Sequence, residues 1–243
     1  MNDKLKSELL DPETLRVGIN LGNILLVTGS AKDGTPEGVA PDMATGLASQ
    51  LGLNVSFLTY ATPGEVADAA IRGEWDIGLI AIEPERAEVI DFCSPYCEIE
   101  ATYLVPENSG IKRIEDVDKP GVRIAVSERA AYDLYLSRTL KHASLHRAPG
   151  LAGAVKLFEE ERLDALAGLV PALKVNAETI PGSRLLAGNY TTVQQAIGTR
   201  PDHPELHAAA EAYIQKAKRS GIVTGLIQKH GVEGKLEVAG ASP

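Results

Sequence analysis

The clearest chemistry in this chain belongs to an arginine that follows a short apolar run. Trp75-Asp-Ile-Gly-Leu-Ile80 has the hydrophobic character of a strand, and Arg86 lies just past its carboxyl end. Sheets with parallel strands take ligands at that end. A guanidinium there offers a rigid fork of donors that fits a carboxylate bidentately. Position alone fits equally well a surface arginine paired with Glu83, Glu85 or Glu88. Cys93 and Cys97 flank Pro95 with no second Cys/His pair nearby, which reads as two small half-buried thiols rather than a metal site. The pairs His142/His146 and His203/His207 lack a third ligand and read as solvated histidines. G-x-S-x-G, H-E-x-x-H, the Walker A loop and G-x-G-x-x-G are all absent, so no metal and no cofactor is expected.

The elements that must position Arg86 alternate. Leu15–Asn20 reads as a strand. A helix starts at Pro41-Asp42 with Asp42 as its cap, shows Met43, Leu47 and Leu51 on one face, and ends at Gly52. Asn54–Leu58 is a strand, Glu65–Ile71 a helix closed by Gly73, and Trp75–Ile80 the next strand. This β-α-β-α-β order predicts a parallel sheet covered by helices. Residues 83–100 read as a connection, and Ala101–Val105 as a strand. After the Lys119-Pro-Gly121 turn a second alternation begins: strand Val122–Val126, helix Tyr132–Leu140, strand Ser144–Arg147, helix Leu151–Glu160, strand Ala165–Leu169 and a helix from Pro171. Arg184–Leu186 and Thr192–Ile197 are further strands. Leu206, Ala210, Tyr213 and Ala217 share a helix face, Gly221 breaks it, and Ile222–Lys229 forms a last helix. The expected class is α/β with two lobes, each a mostly parallel sheet with flanking helices.

The 243 residues suffice for one large domain or two small ones, and 44% hydrophobic with 23% charged residues is ordinary for a globular chain. The net charge of −9 argues against nucleic acid or anionic lipid as partner. No apolar run reaches the roughly 18–20 residues of a membrane span. Met1–Glu13 is polar and has no apolar signal region. Two localisations are therefore expected: periplasmic or extracellular if a signal was removed, cytoplasmic if Met1 is the true start.

Glu83-Pro-Glu-Arg86 followed by Ile90-Asp-Phe-Cys-Ser-Pro-Tyr96 resembles the T-x-x-R…D-F-S-x-P-Y signature of family 3 solute-binding proteins, the polar amino-acid receptors of bacterial ABC transporters. Gly34-x-x-x-Gly38 with Asp42, Leu47-Ala-x-x-Leu-Gly52, Gly73-x-x-Asp76, Arg162-Leu-Asp-Ala165 and Gly221–Gly231 fall in the family's order too. The resemblance implies the type II periplasmic-binding fold: residues 1–100 and 196–243 form one lobe, 101–195 the other, and Ala101–Val105 and Thr192–Ile197 act as hinge strands. It also implies a monomer that serves a permease.

Carried over residue by residue, the resemblance makes Arg86 the anchor of the ligand carboxylate. Ile80-Ala81-Ile-Glu83 stands where the family has a hydroxyl-bearing stretch, and Asn20–Ile24 where it has an aromatic clamp. Ser127–Ala131 matches its second-lobe loop, and Leu169 falls where a carboxylate receives the ligand ammonium. Binding of ordinary L-amino acids is therefore expected to be weak, because a buried ammonium without a counter-charge is costly. The ligand is a carboxylate lacking an α-ammonium, or an amino-acid-like molecule whose amine meets Glu83, Glu100 or Glu128. Candidate ligand-binding residues are Asn20, Asn23, Ala81, Glu83, Arg86, Glu100, Ser127, Ala130, Tyr132 and Gln195; of the strand neighbours Gln194 and Gln195, one points to each face. The alternative function is a lyase on the same scaffold, similar to cyclohexadienyl dehydratases, with Glu83, Glu100 or Glu128 as a desolvated general acid.

Overall fold

The computed structural model describes residues 3–240, so the first two residues of the polar stretch Met1–Glu13 lie outside it. The described chain begins α1 (Asp3–Glu8), β1 (Thr14–Asn20), β2 (Gly29–Ser30), β3 (Pro36–Glu37), α2 (Val39–Leu51), β4 (Asn54–Tyr60), α3 (Pro63–Ile71), β5 (Ile77–Ala81), β6 (Asp91–Phe92) and β7 (Cys97–Pro106). It continues β8 (Arg123–Ser127), α4 (Ala131–Thr139), β9 (Ser144–Ala148), α5 (Gly150–Glu160), β10 (Ala165–Leu169), α6 (Val170–Thr179) and β11 (Ser183–Leu185). It ends with β12 (Thr191–Thr199), α7 (Pro204–Arg219), α8 (Ile222–Lys229) and β13 (Glu237–Val238). Two compact units result: unit 1, residues 1–98 and 194–243, and unit 2, residues 99–193. The chain passes from one to the other inside β7 and returns inside β12.

In unit 1 the strand order is β4-β1-β5-β12. β1 is parallel to both β4 and β5, so the carboxyl ends of all three lie at one edge, and β12 runs antiparallel to β5. Trp75 locks this arrangement. It is fully buried, its Nε1–H donates to the Val66 carbonyl at 3.0 Å, and its ring lies against Gly18 and Gly78. A Cβ at Gly18 would stand 2.7 Å from the indole, so only glycine lets β1 and β5 approach the ring this closely.

Three local readings are corrected. Asp42 does not cap α2. The helix starts earlier, at Gly38, whose φ of 152° and close approach to the Leu26 carbonyl admit no side chain. Asp42 instead accepts from Lys229 Nζ and His230 Nε2, both at 2.7 Å, and so fastens α2 to the end of α8. The stretch 83–100 is not merely a connection: it holds a 3-10 turn at Arg86–Glu88, strand β6 and the start of β7. Of the two histidine pairs, His203/His207 is less solvated than expected, with His203 only 7% exposed and His207 Nδ1 between Asp91, Thr199 and Cys93, whereas His142 is exposed. Helix α3, by contrast, takes its start from sequence chemistry, because Thr62 and Glu65 form a reciprocal capping box.

Unit 2 has strand order β7-β10-β8-β9, with β8 parallel to β9 and β10, and β10 antiparallel to β7. Ala154 and Phe158 of α5 pack on Leu104, Ala125, Leu163, Leu166 and Leu173. The two units share a device. Asp76 accepts the Arg16 N–H at 2.8 Å and gives its own N–H to the Arg16 carbonyl; Asp164 does the same with Arg123. The residue three positions before Asp76 and the one two before Asp164, Gly73 and Arg162, are both left-handed, at φ 64° and 50°. Each carboxylate thus fixes the entry of a central strand against its parallel neighbour.

Candidate functional site

The carboxyl ends of β1 and β5 gather the candidates of unit 1. After β1 the chain turns on two asparagines: Asn20 Oδ1 accepts the Gly22 N–H at 2.9 Å, and Asn23 Oδ1 accepts the Leu25 N–H at 3.2 Å. Each amide oxygen serves its own turn, so what either Asn offers a solute is its Nδ2 donors. Leu21 and Ile24 of this turn are exposed, the latter by 64%.

After β5 the site is buried. Ala81, Glu83 and Arg86 are 5%, 6% and 3% exposed, and Gln195, opposite Ala81 in the β5–β12 register, is 3% exposed. Gln194 is exposed, as the alternation of strand neighbours requires. Arg86 Nη1 donates to the Ala81 carbonyl at 2.8 Å, which turns the guanidinium back toward the strand end. The Glu83 carbonyl accepts the Ala87 N–H and the Arg86 carbonyl accepts the Ile90 N–H, closing the turn that carries both side chains. This burial rules out a solvated surface arginine; Glu85 and Glu88 are exposed.

The turn that follows is held from behind. Ser94 donates both its N–H and its Oγ–H to the Glu211 carboxylate of α7, at 2.7 and 2.8 Å. Burial pushes the Cys93 thiol up to about 12 and the Cys97 thiol well above its ordinary value, so neither is a thiolate nucleophile near neutral pH.

In unit 2 the carboxyl end of β8 leads into α4. Ser127, Ala130 and Tyr132 are each 7% exposed, while Glu128 and Arg129 are exposed. Arg129 adopts a left-handed φ of 57°, held by its N–H donating to Asp133 Oδ2 at 2.8 Å. Asp133 is 2% exposed and also accepts from Arg147 Nε at 3.0 Å. A buried carboxylate, paired with the more exposed Arg147, therefore sets the backbone of the loop between β8 and α4. The Tyr132 phenol is pushed up to about 12 by burial, partly countered by its hydrogen bond with Ser127. Tyr190, whose ring lies 4.4 Å from that of Tyr103 and 6.0 Å from that of Tyr135, extends this aromatic group. Tyr132 and Tyr135 are three apart on α4, but Tyr103 of β7 and Tyr190, just before β12, join them only through the fold. Glu100 is exposed and accepts from Asn189 Nδ2 at 2.6 Å; Leu169, half-buried at the end of β10, presents no charge. Among the described residues no cluster of His, Cys, Asp and Glu is arranged to hold a metal, and no helix is long and apolar enough to cross a membrane.

Comparison with known proteins agrees with this architecture. Residues 15–233 match the family described as bacterial extracellular solute-binding proteins, family 3. The amino-acid-binding protein AabA of Dichelobacter nodosus is 23% identical over 114 residues, and the chain spans 45% of that relative's length and 46% of its own. A mutant of ArgBP from T. maritima superposes with a TM-score of 0.76 at 21% identity, covering 94% of this chain and all of that one. The ancestral amino acid-binding protein AncCDT-1, a precursor of cyclohexadienyl dehydratase, gives 0.75 at 26% identity, over 92% of this chain and 97% of its own. AbpA from Streptococcus pneumoniae, an amino acid ABC transporter substrate-binding protein bound to L-arginine, gives 0.74 at 20%, over 94% and 97%. With nine-tenths of its length matched by the family and the two α/β units in place, the chain belongs to the family 3 bacterial extracellular solute-binding proteins.

Proposed function

We propose that the chain binds a small, polar, carboxylate-bearing solute outside the cytoplasm and presents it to an ABC-type permease. The observation that carries this is the burial of Arg86 at the carboxyl end of β5, with Nη1 donating to the carbonyl of Ala81, the residue opposite Gln195 in the β5–β12 register. Arg86 already has a partner within the protein; what fits it for such a solute is the planar fork of its guanidinium, which matches a carboxylate. Asn20, Asn23, Ala81 and Gln195 supply the remaining polar edge in unit 1. Ser127, Ala130 and Tyr132 are the proposed contacts from unit 2. The lobes of the binding protein are proposed to be the two units, with the crossings in β7 and β12 as the flexible links. Isothermal titration of Arg86→Ala should show about 2–5 kcal/mol of lost affinity for a solute identified by mass spectrometry of the purified protein. Unchanged affinity would remove Arg86 from the site.

A second reading, a dehydratase-like lyase, has support in the likeness to AncCDT-1 and in a buried carboxylate, Glu83, available as an acid. It requires measurable cyclohexadienyl dehydratase turnover by the purified chain that disappears in Glu83→Gln. Absence of turnover leaves the binding reading alone.

A further inference from the structure

Arg86 belongs to a closed circuit of chain. Its Nη1 reaches back to the Ala81 carbonyl at 2.8 Å, Ala81 faces Gln195 across β5 and β12, and the Gln195 carbonyl accepts the Tyr96 N–H at 2.9 Å. Between Arg86 and Tyr96 the chain returns along β12. Ile90 rests on Gly198, where any Cβ would collide with it. Asp91 and Phe92 pair with Thr199 and Gly198, and the Cys93 N–H donates to the Ile197 carbonyl at 2.9 Å. At Ser94-Pro95 this support from β12 stops, because Pro95 has no N–H and the Ser94 N–H points elsewhere. Helix α7 takes over there. Glu211 accepts the Ser94 N–H at 2.7 Å and the Ser94 Oγ–H at 2.8 Å, and Lys218, two turns further along, donates Nζ–H to the Pro95 carbonyl at 3.1 Å. An acid thus meets the donors of the turn and a base meets its acceptor. Glu211 is itself steadied by Gln215 Nε2 at 2.8 Å. Burial works to raise its carboxyl, but the hydrogen bonds from Ser94 and Gln215 and the attraction of His207 hold it below its ordinary 4.5. At neutral pH it is therefore a charged acceptor, the stronger kind.

We propose that Glu211 is a positioning residue of the binding site: by holding Ser94 it pins the return along β12 and so fixes where the Arg86 guanidinium stands. This rests on the reading of Arg86 as the anion anchor. The return needs such a pin because Ser94-Pro95 is the one place between Cys93 and Tyr96 where β12 offers no backbone partner. A guanidinium recognises a carboxylate through the direction of its fork, so a turn that drifts loses the match even when the charge is kept. Helix α7 therefore contributes to binding although none of its residues is among the candidate solute contacts. Lys218 acts on the same turn with a single bond and is the lesser member of the pair.

The test uses the whole chain, reads Arg86 directly and needs no solute. In a nitrogen–proton correlation spectrum the Arg86 Nε–H signal is assigned by its loss in Arg86→Lys. The signal of Trp75 Nε1–H, the only indole of the chain, reports the core of unit 1. Glu211→Leu removes both acceptors; it should shift the Arg86 Nε–H signal and speed its hydrogen exchange about tenfold, with the indole signal unmoved. Glu211→Gln keeps an acceptor for the Ser94 N–H and Ser94→Ala keeps that N–H as donor, so both should fall between wild type and Glu211→Leu. Ser94→Ala placed on top of Glu211→Leu should add little, because both changes remove parts of one interaction. The inference is overturned if Arg86 exchanges in Glu211→Leu as it does in wild type. It is equally overturned if the indole responds as strongly as Arg86, which would make Glu211 a prop of the whole unit. Should Glu211→Leu fail to fold, wild-type exchange of Arg86 in both Glu211→Gln and Ser94→Ala overturns it. The anchor reading fails on a different result: unchanged solute affinity in Arg86→Ala removes Arg86 from the site, whatever the exchange data show.

Discussion

At 3% exposure Arg86 has no solvent to lean on, and its hydrogen bond to the Ala81 carbonyl fixes the plane of the guanidinium relative to β5. Lysine can supply the charge there but not the fork. Arg86→Lys should therefore keep part of the affinity that Arg86→Ala loses, falling between the two in a calorimetric series; equal affinity for Lys and Arg would mean that geometry does not matter at this position. A different carboxylate, Asp42, contributes to behaviour in acid. Burial works to raise it, but hydrogen bonds and attraction from Lys229 and His230 outweigh burial and hold it below its ordinary 3.8. A folded value below the unfolded one means that the contribution to stability is present above about 3.8 and is lost as pH falls through the lower, folded value. Denaturant midpoints should drop more steeply between pH 5 and pH 3 for wild type than for Asp42→Asn; parallel curves would show that this cluster contributes nothing to acid stability.

Elements meet the site through a few close approaches. β1 and β5 bring their carboxyl ends to one edge because Trp75 packs flat over Gly18 and Gly78. Gly18→Ala forces a methyl to within 2.7 Å of the indole and should cost about 1–3 kcal/mol, read as a shift in denaturant midpoint. The loops that enter the central strands are also under backbone constraint. Gly73 is left-handed at φ 64° with open space around its Cβ position apart from Arg200 Nη1 at 3.6 Å, so Gly73→Ala isolates the cost of that conformation. About 1–2 kcal/mol, a fall of roughly 2–8 °C in Tm, is expected. A neutral result would mean that the loop relaxes out of the left-handed region. Arg162 bears the corresponding strain in unit 2 without a glycine to relieve it.

Over the whole molecule the charge is segregated. Unit 1 holds 21 acidic and 12 basic side chains, unit 2 holds 12 of each, so the entire net charge of −9 sits on unit 1. Self-repulsion of that kind is screened within a Debye length of about 8 Å at physiological salt. Raising salt from very low to physiological strength should therefore raise the Tm of the chain. A fall would show that attractive surface pairs such as Lys119–Asp116 outweigh the repulsion.

What the sequence by itself determined was periodic and local. Alternation of β-branched runs with Met43/Leu47-type faces placed the βαβ blocks, because burial on one face imposes a repeat that can be counted. Gly52 marked the end of α2, because a cap is made by residues within one turn of the end. The order of loose motifs around Glu83–Tyr96 pointed to the family, and Arg86 was legible as a candidate from its distance past a strand. Tertiary structure alone decided the rest. It put α1 in place, with the Glu8 carboxylate accepting the Glu205 and Leu206 N–H groups of α7 across nearly 200 positions of chain, a pairing that no local pattern encodes. It moved the start of α2 from Asp42 to Gly38, because the Leu26 carbonyl closes off every larger residue there. It also separated Glu83 from Glu100 and Glu128. In sequence the three are equivalent acids, and only the packing of β12 and the turn onto the end of β5 withdraws one of them from water. Charge identity is a property of the residue, but desolvation belongs to its neighbours in space, and those come from parts of the chain more than a hundred residues apart.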